Sequence, residues 1–243
     1  GLNDTIYFAG EEDGGFFNPV GGSEWALDVE TGRLYQVPAM GRGAWENITE
    51  LDTGSTDKVA FILADDSSPF DFDDDGETEA APLFLYVREK DPDGVFLARN
   101  GLEGGSLYVW VAKNGKFDSP AEFNGKPGNG KGKGVDSTKK GLAGEWVEID
   151  NEPQPDLASD DGSSGYDEYG YPTQGNLWLQ AKELGAFGFS RPEDVATNPN
   201  NGSEFVLAST GVDTYDVDPE TGNGGDTFGT LYTMAVNLSK DGG

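Results

Sequence analysis

Three short stretches hold carboxylates at spacings that could do chemistry. In Asp71-x-Asp73-x-Asp75-Gly76, three acids at alternate positions precede a glycine. This matches the first half of a calcium loop, where side chains converge on the ion and Gly permits the sharp turn. Position twelve of such a loop is Pro82 rather than Glu, so Glu77 and Glu79 would have to supply the missing oxygens. A solvated acidic loop is the plainer reading of the same residues. Gly10-Glu11-Glu12 ends the strand-like run Thr5–Ala9. Either glutamate there could bind a metal, or both could decorate a surface turn. In Ser190-Arg191-Pro192-Glu193-Asp194-Val195, proline holds the chain extended. Arg191 and Glu193 would then project to one side and Asp194 to the other. A guanidinium fork for phosphate beside a carboxylate for a metal suits phosphoryl chemistry, and a surface ion pair is the alternative. Gly43-Ala44-Trp45-Glu46-Asn47 sets a polar pair against an aromatic wall and says little alone.

Composition narrows the chemistry. The chain has 243 residues with no histidine and no cysteine. That excludes Ser-His-Asp triads, thiolate nucleophiles, zinc fingers and disulfide frameworks. Any metal must sit on oxygen ligands, which points to Ca²⁺, Mg²⁺, Mn²⁺ or a ferric ion. Lysine plus arginine total 16 against 45 acids, a formal charge of −29. Such a chain repels a phosphate backbone, so nucleic acid is not an expected partner. No run of apolar residues is long enough for a membrane span. The chain begins without Met or a signal peptide and enters a strand pattern at once, as a processed product or excised piece does. Acidity without Cys suits an extracellular or periplasmic setting.

The elements that must position these residues are strands. Thr5–Ala9, Ser23–Asp28, Arg33–Val37, Val59–Leu63, Pro82–Arg88, Val95–Ala98, Ser106–Val111, Glu145–Ile149, Glu204–Leu207 and Gly229–Ala235 all read as strands bounded by Gly, Asp or Asn turns. The candidate helices around Gln180–Leu184 and Ala121–Phe123 are too short to stand alone. An all-β protein is expected. A weak repeat of aspartate strand, Pro/Asn/Thr/Gly turn and second strand starts at Ala26, Asp194 and Tyr215. It favours a β-propeller over a sandwich. Residues 1–243 then form one propeller domain or a piece of one, with loop insertions near 65–79, 124–140 and 151–170. Asp65–Glu79 carries eight acids in fifteen residues, and Asn124–Lys140 holds five basic residues and five glycines.

The order of motifs has a counterpart. Ile6-Tyr-Phe-Ala-Gly-Glu-Glu, Ala26-Leu-Asp-Val-x-Thr-Gly, Gly43-Ala-Trp-Glu-Asn, Ala81-Pro-Leu-Phe-Leu-Tyr-Val, Leu107-Tyr-Val-Trp and Phe189-Ser-Arg-Pro-Glu-Asp-Val together resemble the PhoX-type alkaline phosphatases. The Arg-Pro-Glu-Asp-Val stretch is the most specific piece, and the long acidic and Gly-rich inserts look like cyanobacterial or marine relatives. The resemblance implies part of a six-bladed propeller and a secreted enzyme that hydrolyses phosphomonoesters at a calcium and ferric ion cluster. It implies Glu193 as a metal ligand, Arg191 as a phosphate contact, and Glu11 or Glu12 as a second ligand. Two departures stand against this. Family members run several hundred residues longer, and the Cys-Glu-Glu stretch whose Cys looks like an iron ligand there has no counterpart here. A non-catalytic calcium-binding propeller, with a structural or adhesion role and self-association in an extracellular assembly, is the rival reading. The phosphatase reading requires Glu11, Glu12, Arg191 and Glu193 to converge.

Overall fold

The structure is a computed structural model that describes residues 1–13, 18–76, 78–113, 118–120, 142–212, 226 and 228–238. Its strands in chain order are β1 (Ile6–Gly10), β2 (Glu24–Asp28), β3 (Arg33–Gln36), β4 (Trp45–Glu50), β5 (Lys58–Asp65), β6 (Ala81–Pro82), β7 (Phe84–Glu89), β8 (Ser106–Ala112), β9 (Gly144–Ile149), β10 (Gly188–Phe189), β11 (Pro192–Asn198), β12 (Asn201–Ser209) and β13 (Thr230–Ala235). They pair as β1-β2-β3, β4-β5-β7-β8-β9, β6-β10 and β11-β12-β13. Every pairing of these strands is antiparallel. The all-β class holds.

Hydrophobic alternation explains the stacking. In β5 of the central sheet, Val59, Phe61 and Leu63 face a core shared with Ala26, Val37 and Met40 of the first sheet and its following turn. Ala60, Ile62 and Ala64 face the opposite core, shared with Val195, Phe205 and Leu207 of the last sheet. A period of two thus buries both faces of the central sheet between two neighbours. The outer faces of the flanking sheets are less covered: Tyr7, Leu34 and Leu231 are exposed. Strands β1 and β11 both lie against β4, so one edge of each stacked sheet meets in the same neighbourhood. Gly32, at φ +69°, supplies the left-handed residue of the turn between β2 and β3.

Two sequence expectations change. Val95–Ala98 is not a strand: Phe96–Arg99 is a single helical turn, α1. Short apolar runs carry no usable period, and Phe96 finds its place in the core by stacking on Tyr35. The run around Gln180–Leu184 belongs to a ten-residue helix, α2 (Gln174–Glu183), capped by the Thr173 side chain accepting from the Asn176 N–H. Its buried residues are Gln174, Leu177, Trp178 and Ala181, at helical spacing. Tertiary burial stabilises it where local propensity does not. The short helical candidate near Ala121–Phe123, the insert 124–140 and the repeat from Tyr215 lie outside the described residues. The insert 65–79 is anchored at both ends by buried acids, Asp65 at 0% exposed and Glu79 at 3%. In 151–170, Asp167 is buried against Arg42.

Candidate metal centre

Ala44 is the backbone hub of the site. It bridges to Glu12, its N–H donates to Asp65 Oδ1 at 3.0 Å, and its carbonyl accepts from the Asp66 N–H at 2.8 Å. One residue therefore ties the segment after β1, the start of β4 and the end of β5 together. Consecutive acids then diverge. Asp65 turns inward, accepting from Ser67 Oγ, Gln174 Nε2 and Trp178 Nε1 as well as Ala44. Asp66 turns away from that cluster and accepts from Arg191 through both oxygens, Nε to Oδ1 and Nη2 to Oδ2 at 2.9 Å each. Burial pushes the Asp65 carboxyl up, while its hydrogen bonds pull down. Helix α2, by delivering Gln174 and Trp178, is what makes an inward Asp65 tolerable.

Two bulges aim the remaining acids. The register between β4 and β5 slips between Trp45 and Asn47, leaving Glu46 as the extra residue. The register between β11 and β12 slips between Pro192 and Asp194, leaving Glu193 as the extra residue. A bulge re-aims a side chain that strict alternation would place elsewhere. Carboxylate oxygens of Glu12, Glu46 and Asp66 come within 4.8 Å of one another. Glu193 Oε1 lies 2.9 Å from Arg191 Nη2 and also accepts from Thr210 Oγ1. The Glu46 carboxyl is pushed up to about 7, first by partial desolvation, then by its hydrogen bond to Glu12 and the nearby charges of Glu12, Asp66 and Glu193. Arg191, at φ +58°, is a non-glycine residue in the left-handed region. Its guanidinium is held further toward the charged form, chiefly by the hydrogen bond to Asp66.

Of the residues singled out in the sequence, Glu12, Arg191 and Glu193 share this neighbourhood. Glu11 does not turn toward it: its Oε2 accepts from the Ser23 N–H at 2.8 Å, closing the end of the β1–β2 pair. Glu46 and Asp66 were not candidate ligands on sequence grounds. Glu46 lay in a noted motif and Asp66 in the acidic insert, and neither bulge nor hub leaves a mark in the sequence.

The acidic loop forms a second group. Carboxylates of Asp71, Asp73 and Glu79 come within 4.8 Å of one another. The Asp75 and Gly76 N–H groups fold back onto Asp71. Asp75 itself points to Lys182, 3.6 Å away, and Lys182 Nζ donates to Glu79 Oε1 at 2.6 Å.

The donor set of the first group fits a hard cation. It is all oxygen, desolvation and then the neighbouring carboxylates push the Glu46 carboxyl up, and among the described residues its facing cation is Arg191.

No protein-family model matches this chain, and no curated protein matches it. Among solved structures, Pseudomonas fluorescens PhoX in complex with vanadate, a transition state analogue, is similar over 87% of this chain, with 18% identity and a TM-score of 0.48. The chain spans 32% of that protein's length. This is the family that the order of motifs resembles, and a likeness this loose transfers no residue roles. Among the described residues, no helix is long and apolar enough to cross a membrane.

Proposed function

We propose that this chain carries part of a metal-dependent phosphomonoester hydrolase, exported to an extracellular or periplasmic setting and built as part of a six-bladed propeller. The observation that carries the reading is the meeting of Glu12, Glu46 and Asp66 within 4.8 Å beside Arg191. Three carboxylates from three chain segments would hold the ion, and Glu193 stands beside them on Arg191. Calcium and a ferric ion are the expected occupants. When bound, such an ion polarises phosphoryl oxygens and offsets charge that develops on them. Arg191 presents planar donors that match two phosphoryl oxygens. Glu193, braced by Thr210, helps orient the guanidinium through the Nη2 that also donates to Asp66. The stacked sheets meeting at β1, β4 and β11 suit consecutive propeller blades, whose inner strands line a common axis.

In the complete protein, Glu193→Gln and Glu46→Gln should each lower metal-dependent hydrolysis of p-nitrophenyl phosphate by about 100-fold or more, with the far-ultraviolet β signal unchanged. Full activity in both variants would contradict the reading.

A second reading has its own observation. Asp71, Asp73 and the buried Glu79 converge on a loop whose backbone already curls around Asp71. Calcium bound there alone would make the chain a non-catalytic, calcium-stabilised propeller module.

A further inference from the structure

We infer that Asp66 is a shared acceptor, contested between Arg191 and a cation bound at the Glu12–Glu46–Asp66 group, so that cation loading frees the Arg191 guanidinium for an incoming phosphoryl group. The inference rests on the proposed metal centre and adds a coupling between its two halves.

The geometry sets up the exchange. Asp66 spends both oxygens on Arg191, at 2.9 Å each. One of its oxygens must also face Glu12 and Glu46 for the group to close within 4.8 Å. A cation there and the guanidinium would share one carboxylate at short range, and like charges sharing an acceptor repel. The arginine has somewhere to stay when it leaves. Its Nη2 also meets Glu193 Oε1 at 2.9 Å, and its side chain is 37% exposed. Glu193 is fixed independently by Thr210 Oγ1, and Arg191 O accepts from the Thr210 N–H at 3.0 Å. The side chain therefore has one acceptor that the cation claims and a second, reached by the same Nη2, that keeps it tethered. A lysine could supply the charge at this position but not the two-point fork.

Calorimetric titration of the full chain with Ca²⁺ and with Mn²⁺ tests the idea. Arg191→Lys keeps the charge and loses the fork, so it should bind the cation about tenfold tighter than the parent, the worth of one charged hydrogen bond. Arg191→Gln should bind at least as tightly. In the parent, saturating cation should also speed solvent exchange of the Arg191 Nε–H signal in nitrogen-resolved NMR. The same cation should raise affinity for inorganic phosphate by about tenfold, a gain absent in Arg191→Gln. Cation binding that Glu46→Gln weakens, but that Arg191→Lys leaves equal or weaker, would overturn the exchange while leaving the metal centre standing. Binding insensitive to Glu46→Gln would remove the centre itself and the exchange with it.

Discussion

Two acidic groups are built in opposite ways. Asp71, Asp73 and Glu79 come from one contiguous loop, and Lys182 of α2 already neutralises part of their charge. Glu12, Glu46 and Asp66 come from three segments joined through Ala44, and their nearest cation is an arginine with a second carboxylate to hold it. The loop folds around its own first aspartate. The assembled group depends on the alignment of the first and central sheets, on two bulges and on a helix behind Asp65. A local group of acids is a place to put an ion. A group drawn from several elements, with a guanidinium on its rim, is a place to do chemistry with one.

The largest way to break the comparison is Asp65→Ala. It strips the acceptor from Ala44, Ser67, Gln174 and Trp178 at a site 0% exposed. Unfolding in urea should show a loss of about 3–5 kcal/mol, and cation binding at the assembled group should fall with it. Retention of full stability would mean that the helix does not support the site.

Glu24 sharpens the contrast, because it is a carboxyl with no ion pair among the described residues. It is 1% exposed, its Oε1 lacks a partner, and burial pushes it from 4.5 up to about 8. The folded chain keeps that proton where the unfolded chain has lost it. Its contribution to stability is therefore complete below pH 4.5, falls as pH rises toward 8, and levels off above. Glu24→Gln should flatten that slope and raise stability at pH 8 by about 2–4 kcal/mol. Parallel pH profiles of parent and variant would contradict the assignment.

Lys182→Met is the smallest test and concerns the loop alone. Buried Glu79 loses its facing ammonium, which should cost about 1–2 kcal/mol in chelator, and calcium should restore much of the loss. A melt indifferent to both changes would leave the loop a solvated run of acids.

What could be read from the sequence follows the range of the interactions. Val59–Leu63 and Ser106–Val111 announce strands because short apolar and aromatic runs between turn residues are a local signal, and both are there. Only the end of helix α2 shows in the sequence, around Gln180–Leu184, because Gly175 and Asn176 are poor helix formers and its buried first residue is the polar Gln174. Its reason for existing is Asp65, 109 residues away from Gln174. Glu12, Arg191 and Glu193 were legible as chemistry from their neighbours in the chain. Glu46 and Asp66 were not, because a bulge is a property of two paired strands and the Ala44 hub joins three segments. Glu11 and Glu12 are equivalent in sequence. The Ser23 N–H, which takes the Glu11 carboxylate, separates them.

Anomalous diffraction from crystals of the chain equilibrated with Mn²⁺ tests the central claim most directly. The account predicts an ion peak between Glu12, Glu46 and Asp66, with the Arg191 guanidinium withdrawn from Asp66 and resting on Glu193. A peak confined to Asp71, Asp73 and Glu79, with the Arg191–Asp66 fork intact, would contradict it.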